Sequence, residues 1–302
     1  MKIILLGATF RKSDELLFHA AQEQGHEISY INPNDVILSV VDDEINIDRL
    51  ARADRVLIRR TAEQSTQIAS IAVALESLNV PCMEKTFHYT SSSVSKTNAI
   101  LKRAKQVKVP SSWAVWSLSQ LERLYSTNSI EFPLLFKPDQ GFGGQGIKKF
   151  LDFDELQLFA MSFFQKTNHT SPLLMQKEVK RKREYRVLVL NGEAIGTVIK
   201  CVAQSDIVAN SIAGNKFVDA RISRNSVHEE EVLSVEESAV EAAKIHKLVF
   251  TGVDVIVSEQ DEKYIIECNR NPQFVETQRV LPNVNIASKV IRCLENYHSW
   301  EV

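Results

Sequence analysis

The chain has 302 residues, of which 44% are hydrophobic and 25% are charged, and its formal net charge is -2 at pH 7. This balance is typical of a folded globular protein, and it argues against a disordered chain, a membrane protein and a nucleic-acid partner. At this length we expect two or three packed subdomains around separate cores.

The sulfur and imidazole side chains show no metal-binding or disulfide pattern. The four cysteines (Cys82, Cys201, Cys268 and Cys293) are scattered without a C-x-x-C pair, and the seven histidines lack zinc-ligand spacing. Residues 1–7 are apolar, but they are few and lack a small-residue cleavage site, so they predict a strand and not a signal peptide. These observations predict a reducing, cytoplasmic location and no transition-metal site.

The first ninety or so residues predict a small α/β domain. Apolar periodicity indicates strands at residues 2–7, 27–32 and 55–59, and helices at 14–24 and 63–78. The order of these elements is that of a β-α-β unit.

A second unit is predicted to begin near Ser95, which is a plausible N-cap for a helix over residues 96–106. Its further elements are predicted as strands at 113–116 and 134–137 and a helix at 118–125. After residue 172 the pattern indicates antiparallel strands at 173–176, 184–190, 194–202, 252–257 and 264–268, and helices at 235–249 and 286–296. Asn191-Gly192 predicts a tight hairpin turn between the second and third of these strands. The predicted domains are therefore residues 1–94, 95–172 and 173–302.

A glycine-rich segment follows the strand that ends at Lys137. Gly141, Gly143, Gly144 and Gly146 are four glycines in six residues, and such a loop lets backbone N–H groups wrap an anion beside the lysine. The spacing fits neither a Walker loop nor a dinucleotide fingerprint. A nucleotide phosphate is one expected guest, and a glycine-rich hairpin beside an exposed lysine is the alternative.

Asp254, Glu267 and Asn269 lie on two neighbouring apolar strands near the end of the chain. Two carboxylates and an amide oxygen form a hard-oxygen site that suits Mg²⁺ bound together with nucleotide phosphates. The alternative is a pair of ordinary acids at strand ends. The apolar surroundings favour metal ligands, because an unpaired carboxylate there would be costly to desolvate.

Two further segments lie between these signals. The extended residues Gln176, Lys177, Glu178 and Val179 can present backbone groups to a flat heterocycle, and Arg186 can reach a phosphate with its planar fork. For Arg186 the alternative is a paired surface arginine.

Taken in this order, the motifs resemble the ATP-grasp superfamily, and most closely its RimK-type ligases. The resemblance implies an α/β fold with an N-terminal α/β domain, a small central domain and a C-terminal antiparallel sheet. It implies that Lys96 and Lys137 bind nucleotide phosphates, that the glycine-rich loop covers them, and that residues 176–179 contact adenine. Glu184 and Arg186 match the family's D-x-R motif, with glutamate in place of aspartate.

The resemblance continues toward the end of the chain. Residues 206–215 align without a gap to a family stretch that places Asn210 on the phosphate side, although Val208 and Asn215 replace an expected arginine and glycine. Asp254, Glu267, Asn269 and Pro272 match the family's D…E-x-N-x-x-P pattern. The departures near Asn210 affect substrate contacts more than nucleotide contacts.

The function implied by the resemblance is a two-step ligation that uses ATP and Mg²⁺, with Mn²⁺ as an alternative ion. A carboxylate is activated as an acyl phosphate and captured by an amine, with Arg186 and Asn210 at the transferred phosphoryl group. The expected partners are a small-molecule or peptide carboxylate and an amino acid such as glutamate, and the oligomeric state stays open. Arg60 is a candidate contact for an acidic substrate, with a solvated Arg59-Arg60 pair as the alternative.

Two other functions fit the same motifs. One is a non-catalytic ATP-binding regulator or adaptor, which the presence of both lysines, the arginine and all three metal ligands disfavours. The other is an ATP-grasp phosphotransferase, which would end at a stable phosphate ester.

Overall fold

Three β-sheets organise the part of the chain that the structure describes. The structure is a computed structural model, and it describes residues 1–59, 65–84, 95–140, 144–201, 216–220, 229–270 and 272–297.

The first sheet is parallel, with strand order β2-β1-β5-β6. Its elements, with an inserted β3-β4 hairpin, are β1 (Lys2–Leu6), α1 (Lys12–Glu23), β2 (Glu27–Ile31), β3 (Leu38–Val41), β4 (Glu44–Ile47), β5 (Arg55–Ile58), α2 (Ser65–Ser77) and β6 (Cys82–Met83). The predicted β-α-β order is confirmed. The hairpin was not predicted because its turn contains no glycine; Asp42 and Asp43 adopt φ angles of 50° and 65° instead.

The second sheet is antiparallel, with strand order β7-β10-β8-β9. Its region contains α3 (Lys96–Arg103), β7 (Ser112–Val115), α4 (Leu118–Ser126), β8 (Leu134–Lys137), β9 (Lys148–Phe150), α5 (Phe153–Thr167) and β10 (Leu173–Lys177). Helix α5 was not predicted. It begins at the N-cap Asp152, whose side chain accepts a 3.0 Å hydrogen bond from the Glu155 amide, and it packs aromatic side chains against Phe136.

The third sheet is antiparallel, with strand order β13-β12-β11-β14-β15. Its region contains β11 (Arg181–Leu190), β12 (Glu193–Cys201), β13 (Lys216–Asp219), α6 (Glu229–Ile245), β14 (Phe250–Ser258), β15 (Lys263–Arg270), α7 (Val275–Val280) and α8 (Ile286–Glu295). The predicted tight turn at Asn191-Gly192 is confirmed, and both residues have positive φ. Helix α6 packs its apolar side on one face of the sheet, which leaves the opposite face for other contacts.

The division into residues 1–94, 95–172 and 173–302 stays a prediction. Strand β10 begins at Leu173 but pairs with β7 and β8 of the second sheet. Helix α8 belongs to the same core as α1 and β1 of the first sheet. Contacts therefore cross both proposed boundaries.

Among the described residues, none of the helices combines the length and the apolar character that a membrane span requires.

Candidate active site

One face of the third sheet carries three of the predicted charged site residues. Side chains alternate between the two faces of a strand, and Val187, Val253 and Val255 point toward α6. Arg186 and Asp254 therefore share the opposite face, where they are register partners. Asp254 is in turn the register partner of Glu267. The sheet thus brings three predicted site residues together although they are far apart in sequence.

Arg186 and Asp254 form a two-pronged ion pair. The Arg186 Nε and Nη2 atoms donate to the Asp254 carboxylate at 2.8 and 2.7 Å, and Lys200 Nζ lies 2.8 Å from Asp254 Oδ1. Burial by itself raises the pKa of Asp254, but Arg186 and Lys200 outweigh it and lower that pKa to about 2. Asp254 is therefore an anion at neutral pH.

Arg186 is also held firmly in its charged form. Burial lowers its pKa, but Asp254, Glu267 and Glu184 together raise it above the ordinary value. The alternative of a paired surface arginine is partly right, since Arg186 is paired. Its side chain, however, is only 20% exposed and lies in a cluster of carboxylates.

Glu267 and Asn269 lie side by side on β15. The Asn269 amide donates to Glu267 Oε2 at 3.4 Å, and Asn269 is the register partner of Gly252 on β14. Among the described residues, this long hydrogen bond is the only one made by the Glu267 carboxylate, so its oxygens can accept a further ligand.

These donors fit Mg²⁺, which prefers carboxylate and amide oxygens and shares its coordination with substrate phosphates. In the described ranges, no group of three His, Cys, Asp or Glu side chains could hold a metal alone. A cation here would therefore depend on Asp254, Glu267, Asn269 and phosphate oxygens together. Asp254 Oδ1 accepts from both Arg186 and Lys200, whereas Oδ2 accepts only from Arg186, so Oδ2 retains a lone pair for a metal ion.

Lys137 enters the site from the last position of β8. Its Nζ donates to Gln176 Oε1 at 2.5 Å, and the Gln176 amide donates to Ser112 Oγ at 3.0 Å. Burial, opposed by Glu267 and reinforced by Lys96, lowers the pKa of Lys137 to about 8. Because the charges of Lys96 and Glu267 both affect the pKa of Lys137, these two side chains lie close to Lys137. The alternative of an exposed lysine beside a hairpin does not describe Lys137.

Lys96 is the first residue of α3, and Ser95 is its N-cap as predicted. The glycine-rich segment is described only in part, because Gly141 and Gly143 lie outside the described residues. Gly144 and Gly146 have φ angles of 71° and 77°. These angles favour glycine, and a Cβ on Gly146 would also lie 3.0 Å from Pro138 Cγ.

The segment 176–179 is predicted to contact adenine. The Gln176 side chain is buried and holds Lys137, whereas Lys177 pairs with Glu131 and Glu178 pairs with Lys149 at 2.6 Å. Among the described residues, no group accepts a hydrogen bond from the Val179 amide. Of the segment's backbone donors, that of Val179 is therefore available to a ligand.

Of the Arg59-Arg60 pair, the structure describes only Arg59. Arg59 is 1% exposed and donates to Asp14 Oδ1 at 3.1 Å, so the interpretation as a solvated pair is wrong for Arg59. Its Nη2 also lies 3.5 Å from the Pro272 carbonyl oxygen. Arg60 and Asn210 lie outside the described residues, and their roles stay predictions.

Lys200 and Glu184 were not predicted as part of the charge cluster. Lys200 is 2% exposed in its side chain and bridges Glu184, at 2.9 Å, to Asp254. The sequence held a signal, because Lys200 interrupts an apolar strand and a buried lysine requires partners. The match to the D-x-R motif included Glu184, but not its pairing across strands.

A model of the RimK-like ATP-grasp domain matches residues 92–294 of this chain, a range that includes Lys96, Lys137, Arg186, Lys200, Asp254, Glu267 and Asn269. The chain belongs to the RimK-like ATP-grasp family. This membership confirms the resemblance drawn from the sequence motifs.

Two curated relatives of this RimK-like chain illustrate the family. The chain is 24% identical over 307 residues to alpha-aminoadipate–LysW ligase LysX of Sulfurisphaera tokodaii, and the match covers 97% of this chain and 99% of that protein. It is 24% identical over 160 residues to human beta-citrylglutamate synthase B, where the match covers 52% of this chain and 38% of the human protein. The chain thus spans less than half the length of the human relative.

The fold of this RimK-like chain is also that of solved ATP-grasp ligases. The ATP-grasp ligase PsnB, complexed with a minimal precursor, superimposes with a TM-score of 0.72 at 17% identity, covering 97% of this chain and 98% of PsnB. The prediction of an α/β ATP-grasp fold is confirmed.

Proposed function

We propose that the protein is an ATP-dependent carboxylate-amine ligase that forms an amide bond and releases ADP and phosphate. The observation that carries this proposal is that Lys137, Arg186, Asp254 and Glu267 form one charge cluster, connected by a direct ion pair or by electrostatic interaction. Phosphoryl transfer requires mainly positioned cations and a hard-oxygen metal site, and this cluster supplies both.

In the first step, a substrate carboxylate oxygen attacks the γ-phosphorus of ATP, and the bond to the ADP oxygen breaks. Lys96 and Lys137 hold the phosphates, and Arg186 with Asn210 stabilises the transferred phosphoryl group. Asp254, Glu267 and Asn269 would hold Mg²⁺, which neutralises charge on the phosphates when bound. The Val179 amide is proposed to donate to the adenine ring.

In the second step, the amine nitrogen attacks the acyl carbon, phosphate leaves, and the amine loses a proton. The glycine-rich loop is proposed to exclude water, because an exposed acyl phosphate hydrolyses. We propose an acidic amino acid such as glutamate as the amine substrate. The names of the two relatives, which refer to alpha-aminoadipate and to citrylglutamate, support this choice. Arg60 is proposed to contact an acidic group.

The proposal predicts ADP release from Mg-ATP that requires both a carboxylate and an amine. The test screens pools of carboxylates and amino acids, with mass spectrometry of the products. Hydroxylamine should replace the amine and yield a hydroxamate, because an acyl phosphate is electrophilic at carbon. The Lys137→Met variant, which loses the phosphate-binding cation, should release no ADP.

Each other outcome identifies a different function. A stable phosphate ester without a hydroxamate would indicate a phosphotransferase. Nucleotide binding without ADP release from any pool would indicate a regulator or adaptor.

A further inference from the structure

Asp139 lies between Lys137 and the glycine-rich loop in the sequence, and it accepts hydrogen bonds from residues at the start of α3. Its backbone oxygen accepts from the Lys96 amide at 2.9 Å. Its carboxylate Oδ1 accepts from the Thr97 amide at 2.9 Å and from Ser95 Oγ at 3.1 Å. One residue thus makes three hydrogen bonds to the start of a helix more than forty positions earlier.

These bonds satisfy the helix terminus almost completely. The first amides of a helix have no partner within the helix and are usually satisfied by a local cap. In α3 the amides of Lys96 and Thr97 donate to Asp139, and the Asn98 amide donates to the N-cap Ser95 at 3.2 Å. The amides at this terminus are therefore engaged, and they do not form a free anion site. A phosphate contact from this terminus therefore has to come from a side chain, and the Lys96 ammonium is the cation among them.

The other end of the α3 segment is tied to the strand with the metal-ligand residues. Arg103 Nη1 lies 3.7 Å from Cys268 Sγ on β15, and the Ile265 amide of β15 donates to the Lys108 carbonyl oxygen at 2.9 Å. The N-terminus of α3 therefore contacts Asp139, and its C-terminal side contacts β15.

We propose that Asp139 is a positioning residue for nucleotide binding, which fixes the Lys96 ammonium relative to Lys137. This inference rests on the proposed phosphate-binding role of Lys96. Asp139 acts through hydrogen bonds that an uncharged acceptor also makes, so its negative charge is not required.

The test measures Mg-ADP binding by calorimetry on the full chain. Asp139→Ala should weaken Mg-ADP binding about tenfold. This is the change in affinity expected if the whole free energy of a lost helix cap appears as a loss of binding free energy. Asp139→Asn keeps the acceptor oxygen and should bind within about twofold of the wild type. Asp152→Ala is the matched control, because Asp152 caps α5 with a 3.0 Å bond to Glu155 but does not contact the cleft lysines. It should lower the melting temperature without weakening Mg-ADP binding.

A double-mutant cycle with Lys96→Met tests the route of the effect. If Asp139 acts through Lys96, the Asp139→Ala and Lys96→Met variant should bind Mg-ADP no more weakly than Lys96→Met alone. If Asp139→Ala does not fold, Ser95→Ala should give the same non-additivity, because it removes the donor to Asp139 Oδ1.

Three results would overturn the inference: additive effects, an Asp139→Asn variant as weak as Asp139→Ala, or an Asp139→Ala variant that binds like Asp152→Ala. In each of these results the wild type still binds Mg-ADP, so the proposed function survives. A wild type that binds no Mg-ADP would overturn the proposed function and the inference together.

Discussion

Two arginine-aspartate pairs among the described residues differ in character. Arg59 and Asp14, in the first sheet region, are each 1% exposed and share one hydrogen bond of 3.1 Å between them. Arg186 and Asp254, on neighbouring strands of the third sheet, are 20% and 8% exposed and share two hydrogen bonds of 2.8 and 2.7 Å. The more exposed pair therefore has more and shorter hydrogen bonds between its two partners.

Burial acts on both arginines, but the balance differs. It lowers the pKa of Arg59 more than Asp14 and Glu84 raise it, so the net shift is downward. For Arg186 the carboxylates outweigh burial, and the net shift is upward. Arginine stays protonated at neutral pH in both environments, so the two pairs differ in exposure and in the number of surrounding carboxylates.

The largest expected effect comes from Arg186→Lys. Lysine keeps the charge but loses the planar fork, so kcat/KM should fall about a thousandfold through lost stabilisation of the transferred phosphoryl group. The matched control is Arg183→Lys, since Arg183 on the same strand makes two 2.7 Å bonds to Glu231 outside the cleft cluster. Steady-state kinetics and thermal melts of both variants separate rate from stability. Equal losses of rate in the two would contradict the special role of Arg186.

A smaller free-energy effect, on stability instead of rate, is expected from Arg59→Met. The change leaves Asp14 buried without its cation, which should reduce the free energy of unfolding by about 3 kcal/mol. Urea denaturation measures this loss. The double variant Arg59→Met and Asp14→Leu should recover only part of it, because the Asp14 charge is removed but the buried Glu84 still lacks the Arg59 cation. A variant that loses catalytic rate but no stability would place Arg59 in the chemistry.

Lys137 differs from both arginines, because its hydrogen-bond partner is the neutral Gln176 amide and not a carboxylate. Burial, despite nearby Glu267, lowers its pKa to about 8, so the ammonium is present at pH 7 and mostly lost at pH 9. Mg-ADP affinity should therefore fall about tenfold between these pH values, since only about one molecule in ten stays protonated. Calorimetry at several pH values tests this. Lys137→Arg, which stays charged, should remove the dependence, and an unchanged slope would contradict it.

The sequence predicted the local parts of this molecule well. Strand β8 ends at Lys137 as expected, the N-cap Ser95 opens α3, and the Asn191-Gly192 turn joins β11 to β12. These features depend on neighbouring residues, so periodicity and turn chemistry suffice to find them. The β3-β4 hairpin and helix α5 were missed, the former because its turn uses two aspartates.

The candidate site was predicted as motifs in order, and several were placed together in the structure. Arg186, Asp254, Glu267 and Asn269 converge because β11, β14 and β15 are adjacent in one sheet, and Lys137 joins them from β8 of the second sheet. The roles of Gln176 and Lys200 were not predicted in this form. Gln176 binds Lys137 from a neighbouring strand, and Lys200 bridges two carboxylates on β11 and β14.

By itself, the sequence determined the family, the glycine-rich stem and the types of side chain available for phosphate and metal. Only the tertiary structure decided which of these side chains meet, because strand register fixes contacts between residues far apart in the chain. It also decided that Arg59 is enclosed while Arg186 is partly exposed in the charge cluster. Both arginines occur in apolar strand patterns, and only packing against α1 in one case, and an open sheet face in the other, separates their environments.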